Sequence, residues 1–232
     1  MIGVLAAVLA VFPLLAAGGL VANEIKNRRI QISNDAFIPL AWHNLRADEI
    51  FPDVLNEPST LGQHSRGWVR QGVAEESDCT EALVAKLAEI AVREGCTTAL
   101  RATYVDTGGE AAATIALCVV GSNDQVATIT GAGFSVVADR PGPMVIPVAV
   151  PKTAAAGWQK KLGYGGGTEG ASPFGPYLAA ITVGPADPNR RYGKLPADWK
   201  HTGEQELRVY QILARDLLGA YSRTFDNTVK GQ

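Results

Sequence analysis

Gly67–Val73 alternates apolar and polar residues, the period of a half-buried strand. A helical period follows. Leu83, Leu87, Ile90 and Ala91 form one apolar stripe with Val84 and Ala88 beside it, and Lys86, Glu89 and Arg93 take the opposite face. Asp78 is placed to cap the first turn, Glu81 to complement it, and Gly95 to supply a left-handed stop. The pattern predicts one continuous helix from Asp78 to Gly95. Thr97–Val105 and Ala111–Val120 then read as paired strands around Asp-Thr-Gly-Gly-Glu, a hairpin signal. Ala111–Val120 is apolar on both parities, which predicts a central strand covered on both faces.

Beyond the hairpin, Ser122 and Gln125 form a capping pair before Val126, Ile129, Phe134 and Val137 at helical spacing. Arg140-Pro-Gly-Pro143 marks a break and a sub-boundary. Met144–Val150 reads as a strand pushed to an edge by Pro147, Lys152–Leu162 as a short helix, and Gly163–Pro176 as a glycine-rich loop. Tyr177–Val183 reads as an apolar strand. Thr202 and Gln205 open a long helix with Leu207, Tyr210, Leu213, Ala214, Leu217, Leu218 and Tyr221 on one face. Together these elements predict an α+β fold, a mixed sheet with helices mainly on one face, preceded by an N-terminal transmembrane helix.

That helix is predicted because Ile2–Ala22 contains no charged residue, and a helix of this length spans roughly 30 Å, the thickness of a bilayer core. A cleaved signal peptide would carry a basic front end; no Lys or Arg precedes the run here, which favours a retained anchor. The organisation is then an anchor at 1–22, a juxtamembrane strap at 23–66 rich in apolar residues, and an α+β domain at 67–232. Lys26, Arg28 and Arg29 follow the span, and the positive-inside rule reads them as placing the C-terminal bulk in the cytoplasm.

With 232 residues, 47% of them hydrophobic, the chain can bury one substantial core. The net charge is −2 and no basic stripe exists, so nucleic acid is not an expected partner. Membrane lipid along residues 2–22 and a protein of the cell envelope are the expected ones.

Candidate chemistry is sparse. Gly165–Gly170 matches G-x-G-x-x-G, but a predicted helix precedes it and Ser172-Pro-Phe-Gly-Pro176 prevents one from following, so it reads as a surface loop. His43, His64 and His201 are scattered, and no C-x-x-C or H-x-x-x-H spacing occurs, so neither a metal nor a cofactor is implied. No G-x-S-x-G elbow is present, and no catalytic residue is assigned. Glu75, Glu76 and Asp78 are what a helix N-terminus attracts. Arg101 and Tyr104 on one strand, with Asp106 at its end, form the best polar constellation and the candidate ligand-binding set. The alternative is that Arg101 pairs with an acid or covers the sheet. Cys79 and Cys96 stand at opposite ends of the predicted helix, about 25 Å apart, beyond a disulfide's reach unless the first turns of that helix are unwound. Cys96 and Cys118 are the geometrically cheaper pair; three buried thiols are the other reading.

Asn34-Asp-Ala-Phe, Ala47-Asp-Glu-Ile-Phe-Pro52 and Gly95-Cys-x-x-Ala-Leu-Arg-Ala-Thr-Tyr104 resemble a group of actinobacterial single-pass membrane proteins without an established activity. The resemblance implies an N-terminal anchor in the plasma membrane carrying an extracytoplasmic domain, opposite to what the basic cluster implies. Three functions are then expected in order: a non-catalytic membrane-anchored accessory protein of the envelope, a small-ligand sensor with Arg101 in its pocket and Gly163–Pro176 as lid, and a hydrolase whose site forms only in space.

Overall fold

The computed structural model describes residues 25–26, 36–57, 66–137, 142–159, 161, 163–165, 171–187 and 204–230. The expected anchor at residues 2–22 lies outside them, and among the described residues no helix is long and apolar enough to cross a membrane. The chain divides into two compact units, Met1–Ala41 and Trp42–Gln232. In the first, Ile38–Leu40 forms a single 3-10 turn with proline at its start, where a missing N–H costs nothing. The second, Trp42–Gln232, holds every described strand, and part of the sub-boundary expected at 140–143 lies outside the described residues.

Its centre is an antiparallel sheet. Strands β1 (Val54–Glu57), β2 (Arg66–Val73), β3 (Thr98–Asp106) and β4 (Ala111–Val119) pair in sequence order, and β7 (Tyr177–Pro185) adds to β4. The short strands β5 (Tyr164–Gly165) and β6 (Ala171–Phe174) share the outer edge of β7. Every pairing is antiparallel, so the expected mixed sheet is corrected. The glycine-rich loop expected at 163–176 is corrected too: Tyr164–Gly165 and Ala171–Phe174 within it are these two edge strands. A bulge at Gln71 breaks the β2–β3 register between Arg70 and Gly72. At Gly72 a Cβ would press on the Val150 methyls at 3.0 Å, so the glycine lets β2 and Val150 approach closely.

The β3–β4 hairpin forms as the pattern predicts. Gly109 takes the left-handed conformation at φ +66°, and Asp106 Oδ1 accepts the Glu110 and Ala111 N–H groups at 2.7 and 2.9 Å.

Helices cover both faces, not mainly one. On the near face lie α3 (Cys79–Ala82), α4 (Ala85–Arg93) and α5 (Asn123–Val137). Leu83, Leu87, Ala91, Val126 and Ile129 pack there against Ala99, Ala116, Cys118, Leu178 and Ala180. The small side chains on the sheet let the helices approach closely. On the far face lies α6 (Glu204–Lys230), with Tyr210, Leu213, Leu217, Tyr221 and Phe225 buried. Phe225 meets Tyr177 edge-on at 5.8 Å, and Tyr221 stacks on Phe51 at 5.6 Å. Two short helices, α1 (Ala41–Asn44) and α2 (Ala47–Ile50), lead into β1.

The single helix predicted over 78–95 is two. Leu83 and Val84 are extended, with ψ of 157° and 149°. Their backbone pairs instead with Met144–Ile146: Val84 N–H donates to Met144 O at 3.0 Å and Ile146 N–H to Ala82 O at 2.8 Å. This bend brings the Cys79 and Cys96 Cα atoms to 6.2 Å, and the two cysteines form the disulfide. The expected Cys96–Cys118 pair is therefore corrected, and Cys118 is a free, buried thiol. Gly95 at φ +91° ends α4 as predicted, through Gly95 N–H to Val92 O and Cys96 N–H to Ala91 O.

Candidate functional site

Arg101 and Tyr104 are three residues apart on β3, so their side chains leave the sheet on opposite faces. The structure does not bring Arg101, Tyr104 and Asp106 into one pocket. Arg101 faces the near side, where its Nη1 donates to Glu81 O at 3.4 Å and Ile146 O at 3.3 Å, and its Nη2 to Ser77 Oγ at 3.2 Å. It fastens α3 and the 144–150 segment to the sheet. Burial lowers its pKa, while Glu81 and Cys118 act the other way.

Tyr104 faces the far side beside its register partner Arg70. Tyr104 Oη donates to Pro52 O at 2.9 Å, while Arg70 donates to Phe51 O, to Ala47 O at 3.3 Å and to Asp53 Oδ1. The pair clamps residues 47–53, which fall within the expected strap, onto the sheet. Burial raises the Tyr104 pKa, with Arg70 opposing. Asp106 is the cap of the hairpin.

A polar row missed in the sequence crosses the near face. Thr103, Thr114 and Thr182 stand in register on β3, β4 and β7, all fully buried. Residues 144–150, expected as an edge strand, join no strand ladder; they run as an extended segment over this row. Thr182 Oγ1 accepts Met144 N–H at 2.9 Å and Val145 N–H at 2.8 Å. Thr103 Oγ1 donates to Val148 O at 2.7 Å, and Thr114 Oγ1 accepts Val148 N–H at 3.2 Å. Trp158 Nε1 donates to Thr114 Oγ1 at 2.8 Å. Side-chain hydroxyls thus do for this segment what a neighbouring strand would do. Gly163 is required beside them, because a Cβ would collide with Thr182 Cγ2. The short helix expected at Lys152–Leu162 is replaced, in its described part, by turns: Thr153 Oγ1 donates to Val150 O at 2.8 Å and accepts Ala155 N–H at 3.1 Å.

Of the histidines weighed above, His43 packs its ring against Trp42 at 5.3 Å, and His64 and His201 lie outside the described residues. Among the described residues, the group of potential metal ligands that assembles is Cys79, Cys96 and Cys118, whose sulfurs all lie within 4.8 Å of one another and are buried. Burial pushes the Cys118 thiol up to about 12, against the pull of Arg101. Spacing alone did not reveal this trio, because it depends on the bend at Leu83–Val84.

Comparison with protein-family models, curated proteins and solved structures returned no match.

Proposed function

We propose that the chain is a non-catalytic, membrane-anchored accessory protein whose folded unit docks on a protein partner of the cell envelope. The observation that carries this reading is the end of the sheet. β1 is its terminal strand, and among the described residues no strand pairs with its outer edge. Val54 and Val69 stand opposite each other across the β1–β2 pair, 50% and 40% exposed. Unpaired backbone and apolar side chains together are what strand addition uses: the backbone supplies affinity and the side chains selectivity. The uncharged Ile2–Ala22 supports the anchor. The polar candidates support the non-catalytic part of the reading, since Arg101, Tyr104 and Asp106 serve as fasteners. For the same reason no observation favours the small-ligand alternative.

The full chain extracted in detergent tests this reading. Crosslinking is expected to trap a stoichiometric partner that Val54→Lys with Val69→Lys releases, while the chain lacking residues 1–22 leaves the membrane fraction. Undiminished recovery by the double variant, or a wild-type chain that stays solitary, overturns the docking reading.

A further inference from the structure

We propose that Cys79, Cys96 and Cys118, once the Cys79–Cys96 bond is reduced, form a buried three-sulfur site for a soft monovalent cation of the Cu(I) class. Three separate elements supply the ligands: the first residue of α3, the connection between α4 and β3, and the penultimate residue of β4. Their Sγ atoms lie within 4.8 Å of one another. At a metal–sulfur distance of about 2.3 Å, a trigonal ion needs sulfurs about 4 Å apart. Cys118 therefore already stands at a suitable range, and only the two bonded sulfurs must separate.

The donor set selects the ion. Among the described residues no His, Asp or Glu joins the group, so the site offers sulfur alone. Thiolates without nitrogen or oxygen donors favour soft ions, and three ligands without a fourth suit a trigonal cation better than tetrahedral zinc. Cys79, Cys96 and Cys118 are 1%, 5% and 0% exposed, so water is excluded from the metal. Arg101 leaves β3 on the same face as Cys118, and its positive charge acts on that sulfur. It offsets part of the negative charge the thiolates bring.

Disulfide and metal exclude each other, which makes the site redox-gated. Reduction takes two electrons and two protons from a dithiol, which closes into its own cyclic disulfide and leaves two cysteine thiols. Cu(I) then displaces thiol protons to the solvent as Cu–S bonds form, and its oxidation state does not change. The oxidised chain keeps a single thiol and offers no site.

The test uses the full chain in detergent, reduced with dithiothreitol, desalted without oxygen, and titrated with Cu(I) against a chromophoric Cu(I) chelator. One Cu(I) per reduced chain is expected, with binding at least tenfold weaker in the oxidised chain and in reduced Cys118→Ser. Circular dichroism of reduced Cys118→Ser beside reduced wild type separates loss of a ligand from loss of fold. X-ray absorption of the loaded chain should show sulfur neighbours only. Equal binding by reduced Cys118→Ser, preference for Zn(II), or a reduced wild-type chain that holds no Cu(I), folded or not, overturns the proposal.

Discussion

Thr114 carries more of the near face than its size suggests. Its hydroxyl serves Thr103, Val148 N–H and the indole of Trp158 at once. Thr114→Val keeps the shape and strands two buried donors, so a loss of about 2–4 kcal/mol is expected from urea unfolding. Thr114→Ser, which retains the hydroxyl, should lose much less. The buried acids make a second point at this scale. Cys118, Tyr104 and Tyr221 all have pKa values raised by burial. A group of this kind is neutral in the fold, so its contribution is complete below its unfolded pKa and is lost as pH rises toward the folded one. For Cys118 that window runs from 9.0 to about 12. The contribution of these groups should therefore be level up to about pH 9 and fall beyond it, by at most about 1.4 kcal/mol per pH unit for each group. Urea midpoints for wild type and Cys118→Ala across pH 8–11 check this; the variant should decline less steeply.

At the scale of elements, the disulfide closes the loop around α3 and α4, with the two cysteines 17 residues apart. Chain-entropy reasoning for a loop of that length gives about 3 kcal/mol. Cys79→Ala with Cys96→Ala should lower the unfolding free energy by about that amount in a calorimeter, and an unchanged transition would contradict the pairing. What could be read in advance here was local. The β3–β4 hairpin, the Gly95 stop and the capping of α5 by Ser122, whose Oγ accepts Gln125 N–H at 3.3 Å, each depend on residues a few positions apart. The bend at Leu83–Val84 depends on Met144–Ile146, far along the chain, so helical spacing overran it. Met144–Val150 has a strand's composition, yet its partners are threonine hydroxyls, which no periodicity announces. The alternation of faces along β3 was legible, and applied to Arg101 and Tyr104 it separates them.

At the scale of the molecule, acidic and basic residues nearly balance, with 21 basic and 23 acidic side chains. The sequence shows no basic run suited to displacing counterions from a phosphate backbone. The full chain in detergent should therefore fail to shift labelled duplex DNA or single-stranded RNA at 0.1 M salt, and a salt-sensitive shift would refute this. The coverage of both sheet faces has a physical source in β4 and β7, whose runs Ala111–Val119 and Tyr177–Pro185 are buried almost throughout. The two-sided apolar character of Ala111–Val119 was visible from composition; which helix would take which side was not, because α6 arrives from the far end of the chain.

The segment crossing Thr103, Thr114 and Thr182 behaves like a bolt through three plates. It cannot be drawn home until β3, β4 and β7 are aligned, and β7 is the last of the three to leave the ribosome. Its docking thus requires those three strands together, and a chain in which they are not aligned would leave its central hydroxyl row open to water.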